Sequence, residues 1–209
     1  MIFPSFTLEQ QLITQGYHSI AGIDEVGRGC LAGPVVAAAV ILNPHAIPEG
    51  LNDSKALTAS QRENIYGQLV EQCSWAIGFR SPAQIDSMNI LQATFCAMHD
   101  AVKELSLTPD YILVDGGQIP PGLTQPVQAI VKGDQHVASI AAASILAKVT
   151  RDRWMRDYDK QYPLYGFAKH VGYGTAAHRR AIAQWGPCPL HRLSFSPLRK
   201  MQYDDKNMS

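Results

Sequence analysis

The sequence contains no apolar run of about eighteen residues, the length that a membrane-spanning helix needs. Its first residues, MIFPSFTLEQ, carry no basic stretch ahead of an apolar one, so no secretory leader is expected either. Cysteine is scarce. Cys30, Cys73, Cys96 and Cys188 lie far apart with no C-x-x-C, which argues against a zinc site or a disulfide framework and for reduced thiols. There is no internal repeat and no low-complexity segment. Net charge is also absent, with 18 Lys and Arg against 18 Asp and Glu. These absences lead to the expectation of a cytoplasmic protein with no membrane partner.

The remainder, at 209 residues, is enough for one medium domain with a real core. Its charges are divided unevenly. Residues 1–131 have a balance of −7 and residues 132–200 a balance of +8. An acidic half suited to cations beside a basic half suited to phosphates is a layout that nucleases use.

The chain is organised around Ser19 to Leu42, SIAGIDEVGRGCLAGPVVAAAVIL. A buried strand is expected from Ile20 to Ile23, a polar and glycine-rich break from Asp24 to Gly33, and a second apolar run from Pro34 to Leu42. Residues 1–18 read as an opening helix with Leu8, Leu12 and Ile13 on one side. A helix follows from about Thr58 to Cys73, capped by Thr58 or Ser60. Ser74 to Arg80 alternates like a strand, and Ser81-Pro82 opens a short helical segment. Asn89 to Leu105 has helical spacing, Tyr111 to Val114 is a short apolar strand, and Val127 to Val131 is the fifth strand. From Lys132-Gly133-Asp134 a long helix runs to about Tyr158. Pro163 to Tyr173 reads as a loop, Thr175 to Trp185 as a helix, and the tail from Pro187 as irregular and basic. Strands separated by helices indicate an α/β sheet covered by helices.

Three strand ends carry acids: Asp24-Glu25, Asp115 and Asp134. Singly, each has a bland explanation. Asp24-Glu25 fits a charged turn, Asp115 an Asp-Gly turn, and Asp134 a helix cap. Gly27, Gly29 and Gly33 approach a dinucleotide loop, but the last spacing is one residue too long and another β-like run follows. Together, the acids after three apolar strands point to one site. Such carboxylates repel and raise one another's pKa unless divalent cations neutralise them. Oxygen-only donors favour Mg²⁺ or Mn²⁺. A pair of such ions supports phosphodiester hydrolysis. Neighbouring strand residues face opposite ways, so only one of Asp24 and Glu25 can point straight at the site.

The motifs GIDEVGRGCLAGPVV, LNDSKALT, IDSMNILQATFCAM, YILVDG, VKGDQHVASIAAASILAKVTRDR, YGFAKHVGYGT and HRLSFSP, in this order from about Ile20 to Arg199, resemble those of the bacterial type 2 ribonucleases H, ribonuclease HII. The resemblance implies a ribonuclease H-like fold, with a five-stranded mixed sheet flanked by helices and a helical C-terminal extension. The corresponding division is an N-terminal segment 1–18, a catalytic core 19–160 and an extension 161–209, in one structural domain. It implies a metal-dependent endoribonuclease that cleaves RNA in RNA–DNA hybrids. It also implies incision 5′ to ribonucleotides embedded in duplex DNA, leaving 5′-phosphate and 3′-hydroxyl ends, and a monomer.

Asp24, Glu25, Asp115 and Asp134 match that family's catalytic, metal-binding quartet, with two Mn²⁺ or Mg²⁺ ions. Gly27, Arg28 and Gly29 match the loop whose backbone meets the 2′-hydroxyl. Tyr173 matches the tyrosine that packs on the sugar after the junction. Asn52, Ser54 and Lys55 match a phosphate-contacting loop, and Ser144 and Lys148 are implied phosphate contacts. Arg151 shares their helix face, where a solvated or capping role is the alternative. His170, His178 and His191 could touch nucleic acid, the alternative being surface or hydrogen-bonded histidines.

Two positions depart from the family pattern. Val171 stands where a lysine is usual, and Leu193 where an arginine is. Each loss should weaken substrate binding and flatten its salt dependence. Ribonuclease HIII, the near relative, has an extra N-terminal domain, whereas only 18 residues precede the first motif here. The C-terminal YDDKNMS has no apolar docking pattern. A non-catalytic hybrid-binding protein is the alternative from another class, but it would have no use for all four acids. A phosphotransferase of related fold would need a nucleotide-binding loop and a second domain.

Overall fold

The computed structural model describes residues 3–200; the C-terminal YDDKNMS lies outside them. In chain order the elements are α1 (Thr7–Thr14), β1 (Ile20–Val26), β2 (Val35–Ile41), α2 (Ala59–Gln72), β3 (Ser74–Arg80), α3 (Pro82–Met88) and α4 (Ile90–Lys103). Then come β4 (Tyr111–Asp115), β5 (Val127–Ile130), a 3-10 turn (Gly133–Gln135), α5 (Ala138–Gln161), α6 (Phe167–His170) and α7 (Ala176–Trp185). The strands form one sheet in the order β3-β2-β1-β4-β5. β3, β2 and β1 are antiparallel neighbours, while β1, β4 and β5 run parallel. The sheet is mixed and five-stranded, as expected.

Alternation along β2 shows why both sheet faces are covered. Val36, Ala38 and Val40 pack against α5 and α2, while Ala37, Ala39 and Ile41 pack against α4. Every β2 residue is therefore buried, the pattern of a central strand with helices on both sides. The small side chains of α5 let that helix lie close to β1. At Gly22 a Cβ would come within 2.2 Å of the Ser139 backbone, so only glycine permits the contact. The N-terminus of α5 is held from outside the helix, where the buried Glu9 carboxylate of α1 accepts the Ser139 N–H at 2.8 Å.

Several boundaries differ from expectation. β1 continues through Asp24 and Glu25 to Val26, because β2 pairs with both acids and keeps the strand extended. α5 begins at Ala138, after a 3-10 turn that holds Asp134. Thr58 caps α2 in a reciprocal box with Gln61, which decides between Thr58 and Ser60. The expected loop from Pro163 to Tyr173 contains α6, whose Phe167 is fully buried. The tail is irregular only up to a helical turn beginning at Leu198. The four cysteines are free. Among the described residues, no helix is long and apolar enough to cross a membrane.

Candidate active site

Parallel pairing brings the acids together. Ile23 of β1 is in register with Val114 of β4, so the next residues, Asp24 and Asp115, leave the same sheet edge side by side. Asp115 is in register with Ile130 of β5, beyond which the chain turns through Lys132 and Gly133 to Asp134. Asp134 does not cap α5. That N-cap is Val137 and has no side-chain bond. The Asp134 N–H instead reaches the Asp115 carboxylate at 3.4 Å.

One carboxylate oxygen from each of Asp24, Asp115 and Asp134 lies within 4.8 Å of the other two. Asp24 and Asp134 are buried and Asp115 is half-buried. Burial raises the Asp24 carboxyl well above the usual range, and the charges of Glu25 and Asp115 push it further. Asp115 is raised by burial and then by Asp134. Such a cluster is costly alone and suits a divalent cation, and its donors are all hard oxygens.

Glu25 stands apart from that trio. Asp24 pairs with Ala38, on the α5 face, whereas Glu25 pairs with Ala37, on the α4 face. Glu25 meets the Arg28 guanidinium at 2.9 Å. Burial raises its carboxyl, and Arg28 partly offsets the rise. It shares a cavity of about 120 Å³ with Asp115, Arg28 and Phe95, next to the trio.

The remaining residues fall into an exposed group and a buried group. Lys55 is exposed and donates to Asp134 at 3.2 Å. Burial of its stem works to lower the ammonium pKa, but the bond and charge of Asp134 prevail and raise it. Ser54 and Ser144 are buried, and their hydroxyls bond each other at 2.9 Å beneath Asp24. Asn52 is half-buried and accepts the Asp53 N–H. Lys148 pairs with Asp152 at 2.9 Å. Arg28, Gly29 and Tyr173 are exposed.

Arg151 is neither solvated nor a cap. It is fully buried, and its guanidinium donates to the carbonyls of Pro34, Ala32 and Val171. The intervening loops, not spacing along α5, determine this, because they fold over that part of the helix. Val171 adopts φ 43°, a left-handed conformation that is costly for a β-branched residue.

His170, His178 and His191 are internal and hydrogen-bonded. His191 Nδ1 accepts the Cys188 N–H at 2.9 Å, so its Nε2 carries the proton and donates to His178 Nε2 at 3.1 Å. His178 Nδ1–H then donates to the Tyr173 carbonyl at 2.9 Å. His170 stacks on His178 and accepts from Gly172 N–H. Burial lowers His178, and it lowers His191 to about 4 with a further push from His178. This neutral relay therefore supports the backbone of Tyr173.

Sequence reasoning missed Arg192. It reads as part of a basic tail, but it is wholly buried against the Gly27–Gly33 loop. The one available signal was its place in the motif HRLSFSP, where Leu193 and Phe195 follow it.

Comparison with known proteins identifies the family. The sequence model of the family described as Ribonuclease HII matches residues 21–198. A ribonuclease HII of Rhizobium meliloti (strain 1021) is 54% identical over 198 residues, covering 95% of this chain and 92% of that protein. One from Syntrophotalea carbinolica is 52% identical over 205 residues, covering 95% and 98%. Among solved structures, the ribonuclease H2 of Pyrococcus horikoshii OT3 superposes with a TM-score of 0.75 at 27% identity, over 90% of this chain and 99% of that one.

Proposed function

This chain belongs to the ribonuclease HII family, and from that premise we propose how its carboxylate site works. The protein is an endoribonuclease of the ribonuclease H type, acting on RNA–DNA hybrids. The observation that carries the finer reading is the trio Asp24, Asp115 and Asp134, held within 4.8 Å although burial and mutual repulsion oppose it. These three residues hold a divalent cation, Mg²⁺ or Mn²⁺, and Glu25 completes a second position beside Asp115. Bound there, a pair of such ions supplies an activated water and neutralises charge building on the scissile phosphate.

The other residues bind and orient. Lys55, exposed beside Asp134, presents its ammonium to a backbone phosphate, and Asn52 and Lys148 flank the same path. Ser54 and Ser144 support Asp24 from below and lie next to that phosphate. The backbone of Gly27, Arg28 and Gly29 meets the 2′-hydroxyl, the group that distinguishes RNA. Tyr173 packs on the following sugar. Phosphate contacts set position, and the hydroxyl contact sets specificity. Cleavage falls 5′ to the ribonucleotide, in long hybrids and in DNA containing a single ribonucleotide, and leaves 5′-phosphate and 3′-hydroxyl ends. The enzyme acts as a monomer in the cytoplasm. Nothing in the site favours a non-catalytic binder, which would gain nothing from a buried cluster of acids.

Calorimetric titration of Mn²⁺ into the protein and into Asp24→Asn tests the cation site. Uptake by the first and at least tenfold weaker uptake by the second is expected. Equal uptake would contradict the assignment.

A further inference from the structure

Arg192 is fully buried, and among the described residues no carboxylate pairs with it. Its guanidinium is satisfied by carbonyl oxygens of one loop. Nη2 donates to Gly27 at 2.7 Å and Gly33 at 2.9 Å, Nη1 to Arg28 at 2.9 Å, and Nε to Gly33 at 3.0 Å. Its own N–H donates to Leu31 at 2.9 Å, and the guanidinium lies over the Phe195 ring. Burying a charge with no carboxylate bonded to it is expensive, and the charge of Asp86 offsets that only in part. A packing role alone would be filled more cheaply by an apolar side chain.

The peptide geometry shows what the arrangement achieves. In a trans peptide the C=O and N–H point in opposite directions. With the Gly27 carbonyl turned inward to Arg192, the Arg28 N–H faces outward; with the Arg28 carbonyl inward, so does the Gly29 N–H. Among the described residues neither N–H has an acceptor, and both residues are exposed. Among the described residues a Cβ built on Gly29 meets nothing within 4 Å, and its φ is not in the left-handed region, so the fold they form does not require glycine there. Gly27 differs, with φ +90° and a Cβ that would strike Arg151. The outer side of Gly29 is therefore open space next to two unused donors.

We propose that Arg192 is a positioning residue for ribose recognition: by holding the carbonyls of Gly27 and Arg28 inward, it presents the Arg28 and Gly29 N–H groups together to a ribose hydroxyl. This rests on the reading that the Gly27–Gly29 loop faces the ribonucleotide. Asp86 braces the arrangement from behind, accepting the N–H groups of Leu193 at 2.8 Å and Ser194 at 2.9 Å.

The test measures affinity in an Asp134→Asn background, by fluorescence anisotropy, for a duplex with one ribonucleotide and for the same duplex in all-DNA form, across a salt series. The parent should prefer the ribonucleotide duplex. Arg192→Lys, whose compact ammonium cannot span three carbonyls, should bring the ratio of affinities close to one while leaving the salt slope unchanged. Asp86→Ala should lower the ratio partway, and it decides the matter if Arg192→Lys does not fold. An intact ratio in folded Arg192→Lys, with affinity for both duplexes lowered alike, would overturn the proposal and leave Arg192 a structural staple. An intact ratio in Asp86→Ala, where Arg192→Lys does not fold, would overturn it too. A parent with no preference would instead overturn the reading of the loop as ribose-facing, and the proposal with it.

Discussion

Acidification should weaken this protein through His191. The imidazole is neutral in the fold because Nδ1 accepts the Cys188 N–H while Nε2–H is donated to His178. A second proton would break the first of these bonds. The folded pKa is lowered from 6.5 to about 4, so the unfolded chain takes up the proton first. The contribution is therefore complete above the unfolded value and declines as pH falls toward the folded one. Each pH unit in that window costs about 1.4 kcal/mol, or about 3 kcal/mol by about pH 4.5. That is a large share of a typical stability of about 5–15 kcal/mol. His178 is shifted in the same direction. The raised carboxyls of Glu9, Asp24, Glu25 and Asp115 act oppositely, adding stability as pH falls. A wild-type curve alone mixes the two effects, so the informative quantity is the difference between wild type and His191→Gln. Urea unfolding in metal-free buffer should find the variant weaker near pH 7, where it lacks the ring packing against Tyr165 and Phe167. The gap should close by about 3 kcal/mol near pH 4.5. Parallel curves across that range would refute the neutral-relay reasoning.

Other consequences can be checked separately. Gly29→Ala should leave Tm within about a degree, since the added methyl meets open space, yet lower kcat/KM on a ribonucleotide-containing duplex at least tenfold. A large fall in Tm would show that the glycine is structural. Val171→Lys replaces a β-branched residue at φ 43° and adds a charge. It should steepen the log–log salt dependence of duplex binding by about one, and an unchanged slope would place position 171 away from the nucleic acid. Glu9→Gln keeps an acceptor for the Ser139 N–H and removes a buried charge whose second oxygen has no partner among the described residues. Thermal melts should show the variant at least as stable as wild type at neutral pH, with any gain vanishing below about pH 4. A lower Tm for the variant at neutral pH would contradict this.

The sheet was legible because its strands are apolar runs bounded by glycine and acid, and the acids at their ends could be read as one site if those ends are neighbours in the sheet. The faces of Asp24 and Glu25 also follow from the two-residue period, which leaves Glu25 on the α4 side. The C-terminal third was much less readable. Arg151 and Arg192 look like solvent-facing cations in a basic region, and only the folding of remote loops over them converts them into buried donors. For the same reason, the three histidines could not be told from surface residues. The partners of His191 and His178 are each other and the backbone carbonyl and amide groups of Tyr173 and Cys188, and backbone groups carry no mark in the sequence. Val171 in a left-handed conformation is likewise set by tertiary contacts: its carbonyl accepts from Arg151.

The most direct measurement is cleavage of an end-labelled duplex holding one ribonucleotide, with Mg²⁺, with Mn²⁺ and with chelator, beside Asp134→Asn. The account predicts metal-dependent scission on the 5′ side of the ribonucleotide, leaving a 3′-hydroxyl, and no scission by the variant. Tight binding without scission under either metal, or undiminished scission by Asp134→Asn, would contradict it.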